Sequence, residues 1–254
     1  MRILLTNDDG IYARGLSALY EELSQEAECL IVAPETEQSA VGHAITISRP
    51  LMVRRAMKNG SFLGYAVLGT PADCVKIGIK ELAEKPVDLV VSGINRGSNA
   101  GINVIYSGTV SAATEALILG IPAIAISLDT HKEADFTYAA KFARKMVRLI
   151  INNPIIQSSA INVNIPCLPA EQIKGVCVVR QGKTNIIETF EKRVDPRENT
   201  YYWISAGSAS ASDAGDNDVA ALAAGFITIT PLQYDLTRYD LMDILQEIVK
   251  QSNI

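Results

Sequence analysis

Two adjacent carboxylates stand in Asn7-Asp8-Asp9-Gly10, directly after an apolar run. Neighbouring side chains on a straight strand point to opposite faces, so Asp8 and Asp9 reach one ion only if the backbone turns there, and Gly10 permits that turn. Two carboxylates make a hard oxygen site, suited to Mg²⁺ or Mn²⁺ and poorly suited to soft metals. The competing use is plainer: either aspartate can cap a following helix.

Three other segments carry compatible chemistry. In Ser92-Gly93-Ile94-Asn95-Arg96-Gly97-Ser98-Asn99-Ala100-Gly101, Asn95 offers a neutral carbonyl ligand and the glycines let backbone N–H groups approach an anion, although Asn and Gly are also the commonest turn residues. Ser107-Gly108-Thr109 precedes a helical repeat of Val110, Ala113 and Leu117. A helix N-terminus with two hydroxyls either cradles a phosphate or is an ordinary Ser/Thr cap. Glu35-Thr36-Glu37-Gln38-Ser39-Ala40-Val41-Gly42-His43 supplies Ser39 to complete a metal or phosphate shell, with Gly42 and His43 beside it. His43 is a structural residue or a proton donor; His131, the other histidine, reads as surface.

These segments need elements to position them. Residues 1–6 form a near-continuous apolar run, as a strand buried on both faces does, and Leu16, Leu19, Tyr20 and Leu23 recur at helical spacing before a second apolar run at 29–33. That is a βαβ unit with a right-handed crossover. A strand at 65–68 leads to Thr70-Pro71-Ala72-Asp73, which reads as a helix start with a capping box. Strands at 87–91, 122–127 and 161–165 alternate with helices at 109–119 and 136–151.

Four or five parallel strands so arranged make a three-layer αβα Rossmann-like fold with a mainly parallel sheet, whose ligands lie beyond the carboxyl ends of the strands. The four segments above all emerge there. After residue 175, strands at 176–179 and 200–205 joined by a charged stretch at 188–198 read as an extended β-hairpin. A small-residue loop at 206–214, a short helix near Val219, a strand at 226–230 and a tail helix at 236–249 complete the chain. The organisation expected is an α/β core of residues 1–180 and 218–232, a hairpin arm of 181–217 and a C-terminal oligomerisation helix in 233–254.

Composition narrows the function. With 254 residues, 48% hydrophobic and 20% charged, the chain is an ordinary globular protein. A net charge of -5 without a basic run argues against binding a nucleic-acid duplex. Nothing has the length of a membrane span. Cys29, Cys74, Cys167 and Cys177 lie far apart without a C-x-x-C pair and read as buried free thiols of a cytoplasmic protein. Gln181-Gly182-Lys183-Thr184 lacks the first glycine of a P-loop, the glycines at 93, 97 and 101 are not spaced G-x-G-x-x-G, no G-x-S-x-G elbow or H-E-x-x-H helix occurs, and the adjacent Asp8 and Asp9 lack the Asp-x-Asp spacing of an aspartyl-phosphate mechanism.

Taken together, the sequence resembles the SurE family, the stationary-phase survival protein E group of metal-dependent nucleotidases. The resemblance rests on Thr6-Asn7-Asp8-Asp9-Gly10, Val32-Ala33-Pro34 with Ser39, Gly69-Thr70-Pro71-Ala72-Asp73-Cys74, Ser92-Gly93-Ile94-Asn95-Arg96-Gly97, Tyr106-Ser107-Gly108-Thr109-Val110 and Thr228-Ile229-Thr230-Pro231-Leu232. It implies metal ligands at Asp8, Asp9, Ser39 and Asn95 for one Mg²⁺ or Mn²⁺ per subunit, and a phosphate-contacting segment at Ser107, Gly108 and Thr109. It implies removal of phosphate from nucleoside 5′- or 3′-monophosphates, some exopolyphosphatase activity, and a dimer or tetramer built through the C-terminal hairpin and tail.

On this reading Asp8, Asn95 and Ser107 are catalytic, and Ser39, Gly42, His43, Gly93, Arg96, Gly97, Ser107, Gly108 and Thr109 contact substrate. Asp8 orients or deprotonates the attacking water, and His43 is the candidate acid. Ala44, Ser98 and Ala116 depart from the family's usual Ser, Pro and Gly. The rival readings are a non-catalytic nucleotide-binding protein built on the same loops, and an assembly module built on the hairpin.

Overall fold

The computed structural model describes residues 1–183, 185–186, 189–205, 209–210 and 215–252. The first half runs β1 (Arg2–Thr6), α1 (Arg14–Leu23), β2 (Glu28–Pro34), β3 (Met52–Lys58), β4 (Ser61–Leu68), α2 (Pro71–Ile77) and β5 (Leu89–Arg96). A single helical turn, α3 (Asn103–Tyr106), precedes α4 (Gly108–Ile118), β6 (Ala123–Asp129), α5 (Thr137–Ile151) and β7 (Ala160–Pro166). Then follow β8 (Val176–Val178), β9 (Asn185–Ile186), β10 (Thr189–Val194), β11 (Thr200–Ser205), β12 (Ala209–Ser210), α6 (Asp218–Ala223), β13 (Ile227–Leu232) and α7 (Met242–Gln251).

The main sheet has the order β3-β4-β2-β1-β5-β6-β7-β13-β8. Its central six strands, β4-β2-β1-β5-β6-β7, are mutually parallel and are the six apolar runs read from the sequence, so all six join where four or five parallel strands are expected. Alternate residues of these strands serve opposite faces. Ile3 and Leu5 join a core with Leu16, Leu19 and Ala143 of α1 and α5, while Leu4 joins a second core with Cys74, Val75, Val110 and Ala113 of α2 and α4. Helices on both faces of a parallel sheet are the three-layer fold the sequence predicts. The Thr70 capping box forms as read: Thr70 Oγ1 accepts from the Asp73 amide at 3.1 Å and Asp73 Oδ2 accepts from the Thr70 amide at 2.9 Å.

Three differences have physical reasons. The strand at 176–178 does not pair with 200–205; β8 runs parallel to β13 at the sheet edge, and the hairpin is β10 with β11. Every residue of β10 is exposed, including Glu191, Lys192 and Arg193, so no buried face marks it as a strand in the sequence. The edge strand β3 is likewise hidden by Arg54, Arg55 and Lys58, charges that protect a sheet edge. The loop expected at 206–214 lies outside the described residues except for β12, which pairs with β9. All four cysteines are free, but only Cys74 is buried; Cys29 and Cys177 are half-buried, and Cys167 is exposed because it stands just beyond the end of β7. Among the described residues no helix is long and apolar enough to cross a membrane.

The chain leaves β1 toward β2 on one side and returns to β5 on the other. This reversal opens a crevice at the carboxyl ends of β1 and β5, where folds of this class place their ligands.

Candidate metal and phosphate site

Gly10, at φ +99°, makes the turn that brings both aspartates to the crevice. Asp8, Asp9, Ser39, Asn95, Arg96 and Gly97 line one cavity of about 240 Å³, together with Ser107 from the start of α4. Glu37, Ala40, Ser98, Asn99, Asn103, Tyr106 and His131 complete its wall. Thus loops after β1, β2 and β5 converge, as the sequence predicts from their shared position at strand ends.

Asp8 is 6% exposed. Its Oδ1 accepts from the Thr109 hydroxyl at 2.5 Å and its Oδ2 accepts from the Thr109 amide at 3.2 Å. Burial pushes the Asp8 carboxyl up, the hydrogen bonds from Thr109 oppose this, and the charge of Glu37 adds to it. Asp9 is pushed up to about 6, first by burial and then by the neighbouring Asp8, although the Arg96 amide donates to its Oδ2 at 3.3 Å. Two carboxylates held together and desolvated call for a cation.

The donor set fits a hard one. Asn95 Nδ2 donates to the Gly97 carbonyl at 2.7 Å, which leaves its amide oxygen as the atom for another partner. Ser39 Oγ donates to Glu37 Oε1 at 2.6 Å and keeps its lone pairs. No group of three or more His, Cys, Asp or Glu able to hold a metal exists among the described residues. Beside Asp8 and Asp9 the cavity offers the Glu37 carboxylate and the neutral oxygens of Ser39 and Asn95, hard donors of the kind that suit Mg²⁺ or Mn²⁺.

Other residues singled out in the sequence sit differently. Of Ser107, Gly108 and Thr109, only Ser107 lines the cavity; its Oγ caps α4 by accepting from the Val110 amide at 3.1 Å. Thr109 turns to Asp8, and Gly108 is what allows the approach, since a Cβ there would stand 2.9 Å from Asp8 Cβ and 3.0 Å from Pro71 Cγ. The helix start thus clamps a carboxylate. Gly93, at φ +133°, lets β5 pass β6: a Cβ would meet the Ile126 carbonyl oxygen at 2.3 Å. Gly42 and His43 lie outside the cavity wall. His43 Nε2 donates to Glu115 Oε2 at 2.8 Å, and Lys76 Nζ donates to Glu115 Oε1 at 2.5 Å. Burial acts to raise the Glu115 carboxyl, but these two partners outweigh it and hold it below the usual range. Of the two histidines it is His131 that borders the cavity, beside Gly97.

The loop after β5 is anchored by residues that sequence reading missed. Asn99 N donates to Asn164 Oδ1 at 2.7 Å, Asn99 Nδ2 donates to Ser127 Oγ at 2.8 Å, and Asn162 Nδ2 donates to the Asn99 carbonyl at 2.8 Å. Asp218, fully buried, accepts from the amides of Gly101 at 3.0 Å and Gly182 at 2.8 Å. Asn162 and Asn164 carried a signal, since polar residues inside Ile161-Asn162-Val163-Asn164-Ile165 must find partners when buried. Asp218 carried none that sets it apart from Asp216.

Residues 3–188 match the family model described as Survival protein SurE. A protein of Syntrophus aciditrophicus named 5′-nucleotidase SurE is 64% identical over 252 residues, covering 99% of this chain and 95% of that protein. One of the same name from Syntrophobacter fumaroxidans is 49% identical, covering 96% of this chain and 98% of its own length. The crystal structure of SurE protein from Aquifex aeolicus superposes with a TM-score of 0.84 at 40% identity, over 98% of this chain and 99% of that one. With nearly full-length similarity in sequence and in structure, and with the paired aspartates at the crevice of the shared fold, this chain belongs to the SurE family.

Proposed function

We propose that this chain is a metal-dependent 5′-nucleotidase, a hydrolase of nucleoside monophosphates. The observation that carries the reading is the pairing of Asp8 and Asp9, both raised by desolvation, in a cavity that also holds Ser39 and Asn95. Asp8, Asp9, Ser39 and Asn95 would hold one Mg²⁺ or Mn²⁺ per subunit. Such an ion, when bound, supplies Lewis-acid polarisation of the phosphoryl group.

The chain's own residues do the rest. Asp8, fixed by Thr109, accepts a hydrogen bond from the attacking water and aims it in line with the departing oxygen. Donors on the cavity wall, the Arg96 guanidinium with the Ser107 hydroxyl and the Asn103 amide, face the charge that grows on the phosphoryl oxygens. Between the two histidines, His131 at the cavity is better placed than the Glu115-bound His43 to protonate the leaving alkoxide. The family resemblance extends the reading to 3′-monophosphates, to polyphosphate and to a dimeric or tetrameric assembly, and the free thiols suit a reducing cytoplasm.

Inorganic phosphate released from AMP and GMP with added Mn²⁺ tests the reading. Activity is expected to vanish in excess EDTA, to return with metal, and to be lost in folded Asp8→Asn and Asp9→Asn proteins. Full activity in excess EDTA would overturn it.

A further inference from the structure

A second compartment of about 190 Å³ opens beside the metal cavity, between the first turn of α1 and residues 133–136. Asp9, Glu37 and Arg96 belong to both walls, so a substrate whose phosphate lies against Asp8 and Asp9 extends directly into it. Ala13, Gly15, Ala134 and Phe136 give it an apolar lining, and Gly15 leaves no room for a side chain, since a Cβ would stand 2.0 Å from the Ile94 carbonyl oxygen. At the mouth the Arg14 guanidinium lies 3.9 Å from the Glu133 carboxylate. We propose that this compartment seats the base of the nucleotide, with Glu133 and Arg14 at its mouth reading the edge of the ring; the proposal rests on the nucleotidase reading above.

Charge decides between the two substrate parts that could extend from the phosphate. A second phosphate, as in polyphosphate, would meet the carboxylates of Asp9, Glu37 and Glu133 against only Arg14 and Arg96. An uncharged planar ring meets no such repulsion. It fits between apolar side chains, a guanidinium plane such as that of Arg96 stacks on it, and its edge supplies N–H donors for a carboxylate and acceptors for an arginine. Guanine, with adjacent ring N–H and amino donors, gives Glu133 two hydrogen bonds to accept. Adenine offers that carboxylate only its amino group.

The test is kcat/KM for GMP, AMP and ribose 5-phosphate, which keeps the sugar phosphate and lacks the base, measured with Mn²⁺ on the full chain. The unaltered protein is expected to favour the nucleotides over ribose 5-phosphate by about tenfold or more, the scale of discrimination one pocket gives. Ala134→Trp, which fills the lining, is expected to erase most of that preference. Glu133→Gln, at an exposed position that tolerates exchange, is expected to reduce GMP relative to AMP. Nucleotide preferences unmoved by both substitutions, or a wild-type protein indifferent to the base, would overturn the proposal and leave the hydrolase reading standing. Phosphate released from none of the three substrates would overturn both.

Discussion

Thr109 grips Asp8 through both carboxylate oxygens, with its hydroxyl on Oδ1 at 2.5 Å and its amide on Oδ2 at 3.2 Å. A buried carboxylate, proposed above to face a metal and a water, is thereby denied rotation. Thr109→Val keeps the volume and the amide and removes the hydroxyl. Loss of such a supporting hydrogen bond costs about 10- to 100-fold in metal affinity or turnover. We expect that loss in kcat at saturating AMP or in Mn²⁺ affinity by calorimetry, with Thr109→Ser restoring most of it. Unchanged values in both measurements would limit Thr109 to packing.

Asp9 gives a prediction about stability and pH. Its folded carboxyl titrates near 6 against 3.8 for the free group, so protonation favours the folded state. The stability this contributes is fully present below about pH 3.8 and is lost as pH rises through 6. The shift corresponds to roughly 3 kcal/mol, and solvent reaching the partly exposed group screens it to about 1–2 kcal/mol. In EDTA at pH 7.5, Asp9→Asn should therefore melt higher than wild type, and the gap should shrink at pH 4. With Mn²⁺ the order should invert, because only the wild type retains both charges for the ion. A lower melting temperature for Asp9→Asn in EDTA at pH 7.5 would contradict the burial argument.

The histidines separate by position. His131 borders the cavity, whereas His43 lies outside its wall and is engaged by Glu115. His131→Asn should lower kcat about 10- to 100-fold and flatten one limb of the pH–rate profile, as loss of a general acid does. The same change at His43 should leave the shape of the profile intact. A profile altered by His43→Asn and not by His131→Asn would return the acid role to His43.

The paired aspartates were legible because two adjacent carboxylates directly follow an apolar strand in a sequence that otherwise alternates apolar strands and helices, and strand ends in a parallel sheet share one rim. What the sequence does not disclose is which polar atom each side chain spends where. Ser107, Gly108 and Thr109 have the composition of a phosphate cradle, yet Thr109 is drawn to Asp8 because Gly108 lets α4 approach β1 closely. His43 and His131 are alike as residues, and only the fold shows that Glu115 holds one while Gly97 adjoins the other. Strand β10 was invisible because a hairpin exposed on both faces has no period-two burial to betray it.

Asp218 ties the loop that follows Asn95 and β5 to the base of the hairpin arm, since its carboxylate accepts from Gly101 on one side and Gly182 on the other. Asp218→Ala leaves these buried amides without an acceptor. The expected cost is about 3 kcal/mol, the scale for stranding buried donors of a charged acceptor. Urea denaturation should show it as a lower midpoint at unchanged slope. A midpoint equal to wild type would mean that water replaces the carboxylate there.

Helix α7 has no buried residue, and Ile244, Leu245, Ile248 and Val249 are all more than two-fifths exposed along one stripe. On β10 and β11, Phe190, Tyr202, Trp203 and Ile204 are exposed as well. An amphipathic helix gains its stability from covering its apolar face, and patches of this kind mark surfaces that meet another chain. A second copy of the chain is the partner the family resemblance implies. Light scattering should then give a dimer or tetramer for the wild type, and Leu245→Glu with Ile248→Glu should lower that mass by placing unpaired charges where the stripe is covered. A wild-type monomer at micromolar concentration would contradict this, because two exposed apolar surfaces on the same C-terminal segment would then have nothing to cover them.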